Sequence, residues 1–111
     1  MDTTSSSATP LSGQMKKALR GVAHHLDPVV AISERGINDG IVAETERALS
    51  DHELIKIKVD ALEKVDRVAL AADLARQTDA TVVQNIGKVA VLYRKNLRAN
   101  PKLSNVSRFL G

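Results

Sequence analysis

The stretch Pro28–Gly40, PVVAISERGINDG, constrains the fold most. Val29, Val30, Ala31 and Ile32 are unbroken by charge and read as a short buried strand. Pro28 stops any helix before it and launches that strand. Ser33-Glu34-Arg35-Gly36 then turns the chain, and Asn38 or Asp39 is placed to cap a new helix. A strand, a glycine-containing loop and a helix in succession form the first part of a βα crossover, which commits the chain to parallel strand pairing. Such a loop is a common place to present backbone N–H groups to phosphate. The plainer reading is that most βα loops bind nothing and that Gly36 only relieves a positive φ.

The remaining elements follow from periodicity. Ser12 is placed to cap a first helix running to about His25, with Met15, Ala18, Leu19 and Val22 on one face. The second helix spans about Asn38 to Asp51, with Ile41, Val42, Thr45, Ala48 and Leu49 forming its apolar stripe. In Glu53–Val59 the residues Ile55, Ile57 and Val59 alternate with Lys56 and Lys58, the pattern of a strand with one covered and one open face. A third helix runs from about Glu63 to Thr78, with Val65, Val68, Ala69, Ala72 and Ala75 inward. Thr81–Ile86 and Lys88–Arg94 read as two strands joined at Gly87, a connection so tight that it forces an antiparallel hairpin. The order α-β-α-β-α-β-β, with right-handed crossovers, predicts a two-layer α/β sandwich with a mixed four-stranded sheet.

Composition narrows the function. The 111 residues suit one domain, and with one Phe, one Tyr and no Trp its core must be aliphatic. The absence of cysteine excludes disulfides and thiolate metal sites. No apolar run approaches 20 residues and the N-terminus lacks a signal-peptide layout, so a cytoplasmic protein away from membranes is expected. The formal charge of +3 is segregated along the chain. Residues 1–26 carry +2, residues 27–86 hold 7 basic and 12 acidic side chains (−5), and residues 87–111 hold 6 basic and no acidic ones (+6). A segregated basic surface points to a polyanion, nucleic acid being the usual one. The alternative is a basic tail that only aids solubility.

No catalytic pattern is present. His24, His25 and His52 have no metal-ligand spacing, and there is no P-loop, GxSxG or GxGxxG. An enzyme is therefore not expected, nor is a cofactor or a metal. The Ser33–Gly36 turn, Lys16, Lys17 and Arg20 on the first helix, Lys56 and Lys58 on the open sheet face, and Lys88, Arg94 and Lys95 about the last strand share one physical use. All could meet a phosphate backbone. With so few aromatic residues, recognition should rest on phosphate, 2′-OH and shape rather than on stacking.

Three segments, LRGVAHHLDPVVAISERGINDGIVAE, HELIKIKV and IGKVAVLYR, resemble in this order the CRM family (chloroplast RNA splicing and ribosome maturation), specifically its single-domain bacterial YhbY-type ribosome assembly proteins. The likeness covers about residues 12–95 and leaves a disordered leader (1–11) and a basic, flexible tail (96–111). It implies a fold similar to the C-terminal domain of bacterial translation initiation factor three, with sheet order 1-2-4-3. It also implies binding of structured RNA, namely 23S rRNA in pre-50S particles, with ribosomal proteins as further partners and no DNA. The family's GxxG loop, comparable to that of KH domains, here reads Ser33-Glu34-Arg35-Gly36. Serine has replaced the first glycine and an acid stands second, so the motif is degenerate. The alternative function is a protein-interaction module that meets ribosomal proteins or assembly factors without touching RNA.

Overall fold

The computed structural model describes residues 11–110. Its elements are α1 (Gly13–Ala23), β1 (Pro28–Ile32), α2 (Asp39–His52), β2 (Leu54–Val59), α3 (Lys64–Gln77), β3 (Thr81–Ile86), β4 (Val89–Tyr93) and α4 (Asn105–Leu110). Both capping expectations hold: Ser12 Oγ accepts from the Met15 amide and Asn38 Oδ1 from the Ile41 amide, each satisfying an orphan donor of a first turn. The leader lies outside the described residues except for Leu11, which packs against the α1 core. Among the described residues no helix is long and apolar enough to cross a membrane.

The sheet runs in the order β1-β2-β4-β3. β1 pairs parallel with β2, and β4 lies antiparallel to both β2 and β3. β2 and β3 are therefore parallel to each other, as a helical crossover requires, with β4 inserted between them. The β4 sequence VAVLY explains that position, because an apolar run without alternation is stable only where both faces are covered. The hairpin closes through Gly87-Lys88, with Ile86 opposite Val89 and Gly87 at φ +54°, where glycine carries no steric cost.

Each face of the sheet has its own core. On one face Val30, Ile32, Ile55, Ile57, Val59, Ala90 and Leu92 meet Leu49 of α2 and Ala71, Leu74 and Ala75 of α3. This is the expected two-layer α/β unit. On the other face Leu54, Val83, Val91 and Tyr93 meet Leu19, Val22 and Ala23 of α1. α1 and α4 thus cover one end of the second face and leave the rest open.

Two expectations are corrected. The inward stripe of α3 is Ala71, Leu74 and Ala75, while Val65 is 74% exposed and Val68, Ala69 and Ala72 also face outward. An alanine-rich helix offers several frames of similar apolarity, and Leu74 decides among them because it is the larger group to bury. The residues from Asn96 on, expected as an extended flexible tail, instead fold back and end in α4. Their anchor is Glu53, a buried residue at φ +61° between α2 and β2. Its carboxylate accepts from the Asn96 amide at 2.7 Å and from Ser104 Oγ at 2.7 Å. Asn105 Nδ2 donates to the Leu54 carbonyl at 2.7 Å, and His52 Nδ1 donates to the Leu103 carbonyl at 2.9 Å.

Arg94 ties the same corner to the helices. Its guanidinium forms an ion pair with Glu46 and donates to the Thr78 carbonyl at 2.8 Å and to Ser50 Oγ at 3.0 Å, with only 16% of the side chain exposed. Arg94→Ala should lower unfolding free energy by about 1–2 kcal/mol in urea titrations, since it strands the carbonyl of the buried Thr78, whereas Glu46, with 47% of its side chain exposed, can turn to water. Tyr93 gives a pH signature. Burial, helped by the nearby Glu53 carboxylate, raises its phenol above the ordinary value of 10.0. The folded state therefore keeps that proton to higher pH than the unfolded chain, and this contribution is intact below about pH 10 and lost as pH rises beyond it. Tyr93→Phe should flatten the fall of urea midpoint with pH above 10; an unchanged profile would show that other groups cause it.

Candidate nucleic-acid interface

At the C-terminal end of β1 the chain makes a closed turn. The Gly36 amide donates to the Ser33 carbonyl at 2.9 Å, and the Arg35 amide donates to Ser33 Oγ at 3.2 Å. Serine in the first position therefore holds the loop by a local side-chain hydrogen bond. The same contact uses the Arg35 N–H, and the turn uses that of Gly36, so neither amide remains for an anion. Asn38 already caps the helix that follows. What the loop offers outward is the Arg35 side chain, which makes no hydrogen bond or ion pair among the described residues, and the Ser33 hydroxyl hydrogen. Glu34 lines a shallow surface together with Glu63, Asp66 and the exposed Leu62.

The sheet register places the basic residues of β2. One row across the open face reads Ala31, Lys58, Val89, Ile86, and the next reads Pro28, Lys56, Val91, Gln84. Lys58 is exposed and unpaired among the described residues. Lys56 is half-buried and donates to the Leu26 carbonyl at 3.0 Å, so it is held rather than free. Beside these rows runs the edge of α1, whose Arg20 and His24 form with Lys56, Gln84, Ile86, Val89 and Val91 a groove of about 160 Å³. Lys17 is exposed on α1, and Lys16 is half-buried. Lys88 stands at the hairpin tip, 3.5 Å from Asp60, with both side chains more than half exposed, a pairing of little energetic weight.

The structure therefore gathers Arg20, Lys56 and Lys58 on one face and puts the hairpin with Lys88 and the Ser33–Gly36 loop at the end towards which β1 and β2 run. It does not bring Arg94 or Lys95 there. Both lie at the opposite end, beyond the Leu54–Tyr93 pair, and Lys95 is exposed while Arg94 is turned inward. Arg94 is thus corrected from a surface contact to a structural clamp. Its position flanking β4 gave no sign of this, because its partners come from α2 and the end of α3.

Sequence reasoning missed Arg67. Its Nε donates to the Gly87 carbonyl at 2.9 Å and its Nη1 to the Ala61 and Leu62 carbonyls at 3.0 and 2.7 Å. It fixes the hairpin that carries Lys88. The available signal was its spacing of four from Ala71, which puts it on the inward side of α3. Among the described residues no group of three or more His, Asp or Glu side chains could hold a metal ion. A Cβ at Gly36 would meet nothing within 4 Å, but φ there is +88°, so glycine serves conformation and not space. Gly36→Ala should therefore cost about 1 kcal/mol in urea unfolding, and Gly36→Asn less, because asparagine tolerates positive φ; equal stability of all three would remove the conformational account.

Comparisons with known proteins identify the family of this chain. A family profile described as the CRS1 / YhbY (CRM) domain matches residues 11–94. The chain is 48% identical over 101 residues to Pseudomonas aeruginosa "Probable RNA-binding protein PA4753", covering 91% of this chain and 97% of that one. It is 42% identical over 95 residues to a Haemophilus influenzae protein named "RNA-binding protein", covering 86% and 96%. The solution structure of Staphylococcus aureus SAV1595 superposes with a TM-score of 0.73 at 34% identity, covering 82% of this chain and 95% of that one. On fold, profile and identity together, this chain belongs to the CRS1/YhbY (CRM) family.

Proposed function

We propose that this protein binds structured RNA, the strand backbone lying along the open face of the sheet beside α1 and reaching the Ser33–Gly36 loop. The observation that carries this reading is the register that lines up Lys56 and Lys58 on one face, flanked by Arg20 and ending near Lys88 and Arg35. The charges of acidic sign at the loop, Glu34 with Glu63 and Asp66, lie on a different surface. Relatives named as RNA-binding proteins support the same partner. The interface is electrostatic and built on shape, so affinity should exceed sequence specificity.

The biological target we infer is 23S rRNA within the large-subunit precursor, bound in the cytoplasm during ribosome biogenesis without catalysis. The likeness of residues 12–95 to YhbY-type proteins supports this target. A second contact, with a basic ribosomal protein, is favoured by the apolar, acid-rimmed surface where Leu62 is 85% exposed beside Glu34, Glu63 and Asp66. RNase treatment before pull-down separates the two, since partners held by that surface stay while RNA-bridged ones leave.

A salt series with a structured rRNA fragment tests the RNA interface. Arg35→Ala with Lys58→Ala should weaken binding and flatten the log–log salt slope by about 1.5–2 units, the loss of two phosphate contacts. An unchanged slope and affinity would move the interface elsewhere, and failure of the parent to bind any structured RNA would overturn the reading.

A further inference from the structure

The docked tail builds a second cleft, of about 250 Å³, between the end of α1, the start of β2 and α4. Its walls include the imidazole of His25 and the ring of Phe109, which stack with centroids 5.8 Å apart and an angle of 6°. Phe109 is 44% exposed, although it is the sole phenylalanine of the chain. The Arg108 guanidinium carbon lies 5.5 Å from the centre of that ring. A flat, partly exposed ring pair beside a cation is the chemistry that receives a nucleobase and its phosphate.

Polar groups in the cleft are left with capacity. Asn105 is buried and uses Nδ2 on the Leu54 carbonyl, while its Oδ1 accepts no hydrogen bond among the described residues. A buried amide oxygen without a donor calls for a partner, and the exocyclic amine of a base is one. His52 donates from Nδ1 to a carbonyl, which leaves Nε2 for another partner. One acid, Asp27, also lines the cleft, so a phosphate would favour the Arg108 and Lys56 side. The volume suits one planar base and falls short of the roughly 300–1,000 Å³ of drug-sized pockets.

Continuity supplies the route. Lys56 lines both this cleft and the groove beside α1, and the adjacent His24 and His25 line one each. A strand lying in the groove has the cleft as its next stop. We propose that this cleft takes one unpaired nucleobase of the bound RNA, stacked on the His25–Phe109 pair; this rests on the RNA-binding reading above. It makes the interface electrostatic over most of its length and stacking at one point.

The test uses the full chain and two RNA probes, a hairpin with a single-stranded 3′ extension of six adenylates and the same hairpin blunt-ended. The parent should bind the extended hairpin more tightly. Phe109→Leu, which keeps an apolar side chain for docking α4, should weaken that binding by about five- to a hundredfold. It should leave the blunt hairpin unaffected and the salt slope unchanged, because stacking releases no counterions. Phe109→Trp should retain tight binding, and His25→Ala, outside the tail, should reproduce the loss. If both Phe109→Leu and His25→Ala bind the extended hairpin like the parent, the cleft takes no base. If Phe109→Leu loses both RNAs alike or flattens the slope, the tail acts through charge or structure and the proposal falls. Failure of the parent on both probes would instead sink the RNA-binding reading beneath it.

Discussion

The fold depends on β4 being buried on both faces. VAVLY has no polar alternation, and the only place in a four-stranded sheet where such a strand is covered throughout is between two others with helices above and below. Inserting it between β2 and β3 makes the sheet mixed and requires two cores. Ala90 and Leu92 close the α2/α3 side, and Val91 and Tyr93 call for α1 on the other. α1 covers this face from the Leu54–Tyr93 end as far as Val91, so the end with Lys58, Val89 and Ile86 remains open. The candidate interface is therefore a remainder of packing: the part of the sheet that one helix of 11 residues does not reach.

The corner where α2 meets β2 has a comparable role for the tail. Glu53 stands at a positive φ, where a residue other than glycine carries strain, and it is over-determined by its contacts. Its amide donates to Leu49, its carbonyl accepts from the Arg94 amide, and its carboxylate holds Asn96 and Ser104. A buried carboxylate is costly without donors, and here the tail supplies them. The last residues are ordered against the domain because they satisfy a charge that the helix-to-strand turn buries. In consequence Phe109 and Arg108 arrive beside His25, 84 residues away in the chain for Phe109, and the second cleft exists.

Much of this was legible in the sequence. The caps Ser12 and Asn38, the alternation in Ile55–Val59 and the tight link at Gly87 each follow from local chemistry, and local chemistry does not change on folding. The sheet order came from resemblance and agrees with the apolar run of β4. The face of α3 was misread because an alanine-rich helix carries little directional signal. Among the site residues, Lys58, Arg35 and Lys88 are exposed as charge placement implies, whereas Arg94 is consumed by Glu46, Ser50 and Thr78, none of which lies within ten residues of it.

The sequence by itself determined the elements, their order, an aliphatic core and a basic surface, because these rest on periodicity, capping and net charge, which are properties of neighbours in the chain. Only the tertiary structure decided which cations face solvent, which are clamps, and that the tail docks. Those outcomes depend on pairings such as Glu53 with Ser104 and Arg94 with Glu46, made across more than 45 residues. Charge in a sequence states how many cations there are; burial against distant partners decides what each one is free to touch.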